Sequence, residues 1–419
     1  MLIRLLIIAD DFTGALDTGV QFASQGLSTR VITDSTASLK EFADCCEVLV
    51  VDAETRHLPG EKAYDTVYAI AVQARELGIP HVYKKTDSAL RGNIGAELTA
   101  LLKASGEARL PFLPAFPQMG RTTAEGIHYI AGVPVSQSVF GKDPFDPVVH
   151  SRVADVIAEQ SDTPVTSLPT LTAGDMLPQK EGIFVFDAAT LEDLEQTGAQ
   201  LLKQDGLKIM AGCAGFGSVL PGLLKLGTGK PAPMPKLDPN FLVICGSVNP
   251  ITVGQLDRAE QEGFLRIRLA PEQKLDPGYW ATASGEEKFQ SISKQLLSCT
   301  CRILDTNDSD ETNTTAAYAE RYGMDIEAVR QAVSRTIGYL VSRLFPNPGL
   351  GTLLITGGDT LLQCMNYMGV QEIEPLCELD SGVVLSRFSY QGYTRYVISK
   401  SGGFGKEDLV IQLAKRIAQ

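Results

Sequence analysis

Two adjacent carboxylates, Asp10 and Asp11, close an apolar run from Leu5 to Ala9 and precede Phe12-Thr13-Gly14. Such a run fits a strand buried on both faces of a parallel sheet, and acids at its carboxyl end stand where open α/β sheets bind ligands. Apolar residues at 15, 16, 20, 22 and 23 then predict a helix whose first N–H groups face the same crevice. One chemistry open to Asp10 or Asp11 is general-base removal of a hydroxyl proton. The plainer role is a helix cap, for which a single Asp suffices. A second polar cluster, Lys84, Lys85, Thr86, Asp87, Ser88 and Arg91, grows from a predicted strand over His81 to Lys85. Cations and hydroxyls converging at a strand end suit a polyhydroxylated anion, whereas each residue taken alone could be an ordinary surface ion pair. Strand alternation lets only one of Lys84 and Lys85 reach the crevice.

Three glycine loops follow in the second half. A strand over Phe241 to Cys245 leads into Gly246-Ser247-Val248-Asn249-Pro250. Thr352 to Thr356 leads into Gly357-Gly358-Asp359-Thr360, with a helix expected from about Leu361. Tyr396 to Ser399 leads into Lys400-Ser401-Gly402-Gly403-Phe404-Gly405. Paired glycines let a phosphate or ribose approach the backbone closely, and three such loops in one region favour a nucleotide site over unrelated turns. It is of neither common type. The glycines at 212, 215 and 217 do not fit the GxGxxG fingerprint, and Gly229-Lys230 is followed by Pro231 where a P-loop needs Ser or Thr. The eight cysteines form no CxxC pair and the four histidines are scattered, which speaks against a structural zinc or a His-centred triad and for reduced, mostly buried thiols.

The elements that must carry these loops alternate strand and helix. Arg30 to Thr33 and Val48 to Asp52 read as strands, Glu61 to Leu77 and Ile94 to Leu102 as helices, and Leu110 to Phe116, Gly182 to Asp187 and Lys208 to Ala214 as further strands. Tyr129 to Asp146 is rich in turn formers and is expected outside the regular sheet. A chain of 419 residues exceeds one core, and prolines at 231, 233, 235 and 239 mark a stiff linker. The expected architecture is α/β with two domains, 1–227 and 240–419, joined by a Pro-rich linker at 228–239, each built on a mostly parallel sheet flanked by helices. The net charge of −13 disfavours a nucleic-acid or anionic-membrane surface. No apolar stretch reaches membrane-spanning length, and the acidic flank of Leu5 to Ala9 is unlike a signal peptide, so a cytoplasmic location is expected.

Six stretches, taken together and in order, resemble the four-carbon acid sugar kinases: IADDFTGALD (8–17), KKTDSALRGNIGAEL (84–98), PAFPQMGRTT with its following Gly126 and Tyr129, CGSVNP (245–250), ITGGDT (355–360) and SKSGGFG (399–405). The resemblance implies a sugar-acid domain followed by a nucleotide domain, closing around a four-carbon acid and ATP with Mg²⁺, and phosphorylation of the terminal hydroxyl in the interdomain cleft. It implies Asp11, Arg56 and the Lys85–Ser88 loop as acid-sugar contacts, and Ser247, Gly357 to Thr360, Gly402 and Gly403 as ATP contacts. Asp10 or Asp11 is the candidate base, Arg91 joins the basic loop, and Asp359 would orient nucleotide or metal. The opening DDFTGALDTGVQFA is more similar to the D-threonate branch than to the 3-oxotetronate branch. D-erythronate and 3-oxotetronate are the alternative substrates, a two-domain sugar-acid binding protein is the alternative class, and a homodimer is compatible with the family.

Overall fold

The computed structural model describes residues 2–143, 146–227, 229–309 and 313–418. The chain divides into two compact units, Met1–Ala232 and Pro233–Gln419. In the first, strands β1 (Leu5–Ala9), β2 (Thr29–Ile32), β3 (Val48–Asp52), β4 (His81–Lys85), β5 (Arg109–Leu113), β6 (Arg121–Ala124), β7 (Ile127–Ile130), β8 (Val133–Pro134), β9 (Val165–Leu168), β10 (Gly182–Phe186) and β11 (Ile209–Gly212) form two sheets. The larger is parallel throughout, in the order β2-β3-β1-β4-β11-β5-β10-β9. β1 is apolar without alternation because both of its faces are covered. Leu6 and Ile8 pack with Val67 and Ile70 of the helix Gly60–Glu76 and with Leu98 and Leu101 of the helix Ile94–Ser105. Leu5 and Ile7, which point the other way, are equally buried. From β1 the chain builds β2 and β3 on one side, then crosses to β4 on the other. The ends of β1 and its neighbours thus lie at a topological switch point, where such sheets open a crevice.

The smaller sheet, β6-β7-β8, is antiparallel. It corrects two expectations. The strand expected to run from Leu110 to Phe116 stops at Leu113, before Pro114, which has no N–H to give a ladder. Phe116 instead exchanges backbone hydrogen bonds with Arg121, at 2.8 and 3.1 Å. The segment beginning at Tyr129 does lie outside the main sheet, but it completes β7 and forms β8 rather than being wholly irregular.

The second unit comprises β12 (Phe241–Cys245), β13 (Leu265–Arg268), β14 (Cys301–Asp305), β15 (Thr352–Thr356), β16 (Glu372–Asp380), β17 (Val383–Tyr390) and β18 (Tyr393–Lys400). Their order is β13-β14-β12-β15-β18-β17-β16, parallel up to β18 and antiparallel through the β16–β18 meander. The expected strand Tyr396–Ser399 is thus the end of a longer one. β12 repeats the switch-point position of β1, since the chain goes to β13 and β14 on one side and to β15 on the other. The helix expected near Leu361 begins three residues earlier and spans Gly358–Met368. All eight cysteines are free thiols, with Cys45 and Cys299 exposed. Among the described residues, no helix is long and apolar enough to cross a membrane.

Candidate functional site

In the first unit the site is assembled around the end of β1. Register pairs Ala9 with Asp52 on β3 and with Lys85 on β4, so Asp10 leaves the sheet between two polar strand ends. The Asp10 carbonyl accepts the N–H groups of Thr55, at 3.1 Å, and Arg56, at 3.2 Å, which folds the Arg56 loop back over β1. The carboxylate of Asp10 then receives Arg56 Nε at 2.8 Å, Arg56 Nη2 at 2.6 Å and Lys85 Nζ at 3.5 Å. Burial alone would raise the Asp10 carboxyl, but the adjacent Arg56 and Lys85 charges outweigh it and lower it to about 2. Asp11 takes the plainer of the two roles open to it in the sequence. It caps the helix Phe12–Ala23 by accepting from Gly14 N at 3.0 Å, and it meets Arg56 Nη1 at 2.9 Å.

The β4 loop brings in the remaining acid-sugar candidates. Asp87 takes Arg91 bidentately, Nε at 2.9 Å and Nη2 at 3.0 Å, and lies 3.8 Å from Arg56 Nη2. Although burial opposes it, the Arg91 and Arg56 guanidiniums hold the Asp87 carboxyl well below the usual range. Ser88 is half-buried and its hydroxyl accepts from Arg121 Nη1. Thr86 belongs to the loop but faces away, its N–H and hydroxyl both donating to Gly212 O, at 2.8 and 3.3 Å. Alternation along β4 separates the two lysines. Lys85 faces Asp10, whereas Lys84 is fully buried and pairs with Glu97 Oε2 at 3.0 Å.

Several supporting residues carry no signal short of the long motif matches. Glu97 also accepts the Thr55 hydroxyl, and Asn93 Nδ2 donates to Thr55 O and Leu58 O, each at 2.8 Å, so both brace the loop that carries Arg56. His128 holds Ser88. The Ser88 carbonyl, 2.9 Å from Nε2, can only accept, so Nε2 carries the proton and Nδ1 accepts from the Thr123 hydroxyl at 3.0 Å. Burial lowers the His128 pKa to about 4, against the pull of that carbonyl, and the ring is neutral.

In the second unit the three glycine loops leave neighbouring strand ends, with Cys245 in register with Thr356 and Thr356 with Lys400. Two close approaches knit them together. A Cβ on Gly246 would fall 1.9 Å from Thr360 Oγ1, and one on Gly402 would fall 2.9 Å from Ser247 Oγ. Ser247 is positioned by Asn307, whose Nδ2 donates to Ser247 O at 3.2 Å, and by Asn249, whose N–H donates to Ser247 Oγ at 3.2 Å. Gly357 is the residue ahead of the helix Gly358–Met368. Having no side chain, it caps none of the first-turn N–H groups of Gly358, Asp359 and Thr360. Asp359 pairs with Arg330, which also holds Glu327 at 2.7 Å. Lys400 is buried, and its Nζ donates to Thr252 Oγ1 at 2.9 Å, Ser401 O at 3.1 Å and Gly402 O at 3.2 Å. Gln255 Nε2 donates to Phe404 O at 3.1 Å and Lys406 O at 2.8 Å. These contacts turn the carbonyls of the loop inward. Among the described residues, the N–H groups of Gly402 and Gly403 make no hydrogen bond. Such a set of fixed backbone donors beside an ammonium suits a polyphosphate.

The chain matches a family model described as a sugar-binding N-terminal domain over residues 5–220, and one described as a nucleotide-binding C-terminal domain over residues 242–410. A D-threonate kinase of Salmonella typhimurium is 30% identical, covering 96% of each chain. A D-erythronate kinase of Heliobacterium modesticaldum is 27% identical over 97% of this chain and 95% of its own. A solved Salmonella typhimurium structure described as a putative tRNA synthase has a TM-score of 0.80 at 23% identity, covers 99% of this chain and 100% of that one, and shows the same fold. The pairing of a sugar-binding with a nucleotide-binding domain defines a carbohydrate kinase. The chain belongs to the four-carbon acid sugar kinase family.

Proposed function

We propose that this kinase transfers the γ-phosphoryl group of ATP to the 4-hydroxyl of D-threonate, with the acid held at the end of β1 and the nucleotide on the three glycine loops. The observation that carries the reading is the contrast between the two strand-end sites: paired acids, cations and hydroxyls in one unit, and unbonded glycine amides around Lys400 in the other. Phosphoryl transfer asks a protein chiefly to position two substrates and balance charge. Asp11 is the group that receives the hydroxyl proton. Asp10, doubly bound by Arg56 and held at about pKa 2, is a weak acceptor and serves instead to fix Arg56 and Lys85.

Mg²⁺ accompanies ATP and supplies neutralising charge to the phosphates. Among the described residues, no three His, Cys, Asp or Glu side chains converge on a metal position. Mg²⁺ commonly takes one or two carboxylates and completes its shell with phosphate oxygens and water. Asp359, in the first turn beside the glycine loop, is the carboxylate placed to contribute.

The test is an ATP-consumption screen against D-threonate, D-erythronate, L-threonate, L-erythronate and 3-oxotetronate, with phosphorus NMR of the product. D-threonate is expected to react fastest, yielding a 4-phosphate ester. Faster turnover of another acid would reassign the substrate, and ATP consumption with none would leave a binding protein.

A further inference from the structure

The cations of the β1–β4 crevice are balanced with one exception. Arg56 faces Asp10, Asp11 and Asp87 at 2.6, 2.9 and 3.8 Å. Lys85 faces Asp10 at 3.5 Å, and Arg91 faces Asp87 at 2.9 Å and Asp143 at 3.2 Å. Arg121, the first residue of β6, has no carboxylate within 4.0 Å among the described residues. It is nonetheless half-buried, and burial lowers its pKa while the more distant Asp87 only partly compensates. A guanidinium withdrawn from water without a counter-ion is costly unless something else supplies the negative charge.

The orientation of this guanidinium is fixed in advance. Nη1 donates to Ser88 Oγ, and Cζ lies 5.3 Å from the centroid of the Phe140 ring, which Arg91 also approaches, at 5.2 Å. Ser88 is itself held by the His128 bond to its carbonyl. A planar fork beside a hydroxyl matches a ligand that presents one negative charge on two coplanar oxygens.

We infer that Arg121, with the Ser88 hydroxyl beside it, binds the carboxylate of the four-carbon acid and is the residue that makes this site prefer an acid to a neutral sugar derivative of the same length. The inference rests on the kinase reading for the identity of the acid. Arg56 is thereby assigned a different task, because its charge is already balanced by three aspartates.

The experiment is calorimetric titration of wild-type protein, Arg121→Ala and Arg121→Lys with D-threonate and with D-threonamide, in which an uncharged amide replaces the carboxylate. Urea unfolding reports the fold of each variant, and ATP is titrated separately as the control for the second unit. Wild-type protein is expected to prefer the acid by about thirtyfold, as for a charge-assisted hydrogen-bond pair. Arg121→Ala should lose that factor for the acid alone, bringing the two ligands within about threefold of each other, with ATP affinity changed less than about twofold. Arg121→Lys, which keeps the charge and loses the fork, should fall between. An unchanged acid-to-amide ratio in Arg121→Ala would overturn the inference, and so would an equal loss for both ligands, which would make Arg121 a support for Ser88. If wild-type protein binds the acid with this Arg121 dependence but transfers no phosphoryl group, the kinase reading falls and the Arg121 assignment stands. If wild-type protein binds neither ligand, both fall.

Discussion

Arg56 grips Asp10 twice over: its Nε and Nη2 reach the carboxylate at 2.8 and 2.6 Å, while its backbone N–H donates to the Asp10 carbonyl at 3.2 Å. Side chain and main chain are tied to the same residue, and the grip is buried. An arginine so placed is part of the frame that keeps Asp10 ionised and both aspartates aimed.

Removing it should therefore cost stability as well as catalysis. Arg56→Ala leaves the buried Asp10 charge with Lys85 at 3.5 Å and the more distant Lys84 as its remaining cations, a kind of disruption that typically costs about 3–5 kcal/mol. Urea unfolding should show a midpoint well below wild type, and activity should fall for every acid tested. A variant with a wild-type midpoint and a raised KM for the acid alone would instead make Arg56 a direct ligand of the substrate.

The two aspartates should separate cleanly. Asn caps helices about as well as Asp, so Asp11→Asn preserves the start of the helix Phe12–Ala23 while removing the proton acceptor. Turnover is expected to fall about a hundredfold, with both KM values within a few-fold of wild type. Asp10→Asn should chiefly lower the urea midpoint, since it leaves Arg56 and Lys85 underbalanced in a buried place. Equal turnover losses in the two variants, with unchanged stability, would contradict this division.

How far these features could be read from the chain depended on burial. β1, β3, β12 and β15 are parallel strands buried on every residue, and they appear in the sequence as apolar runs with sharp ends. β16 and β17 are partly exposed, and β16 contains Pro375 and three glutamates, so the meander offered neither a continuous run nor a clean alternation. The same contrast holds in the site. Asp10, Asp11 and the Lys85–Arg91 loop were legible because they follow strand ends, and alternation correctly separated Lys84 from Lys85. Glu97, Arg121 and His128 reach their partners only through tertiary packing, over separations of 42, 33 and 40 residues, which no local pattern encodes.

His128 gives the first unit a pH dependence of definite sign. Its folded pKa of about 4 lies below the ordinary 6.5, so between these values the unfolded chain binds the proton and the folded chain does not. The stabilising contribution is complete above pH 6.5 and is lost as pH falls toward 4, amounting to about 3 kcal/mol for a shift of this size. Arg121 and Asp87 are the charged groups that act on the ring, with opposite effects. Urea unfolding at pH 7, 5.5 and 4 should show the decline, and His128→Asn should flatten that part of the profile. An identical slope in the variant would place the titration elsewhere.

Lys400 should do the corresponding work for ATP. Its ammonium has a hydroxyl and two carbonyls as partners but, among the described residues, no carboxylate within 4.0 Å, and burial lowers its pKa from 10.5 to about 8. Between these values the folded chain has lost a proton that the unfolded chain keeps, so this group penalises folding below about pH 8 and the penalty is relieved as pH rises toward 10.5. The dependence of nucleotide binding runs the other way. A bound polyphosphate favours the charged form, so ATP affinity should be greatest below pH 8 and decline above it as the free protein loses the ammonium. Lys400→Met keeps the length of the side chain and removes the charge; it should raise the KM for ATP about tenfold or more and abolish this decline, while binding of the four-carbon acid changes little. Calorimetric titrations of ATP at pH 7, 8 and 9 decide the matter: parallel pH profiles for wild type and Lys400→Met would mean that Lys400 only shapes the loop and that the glycine amides hold the phosphates alone.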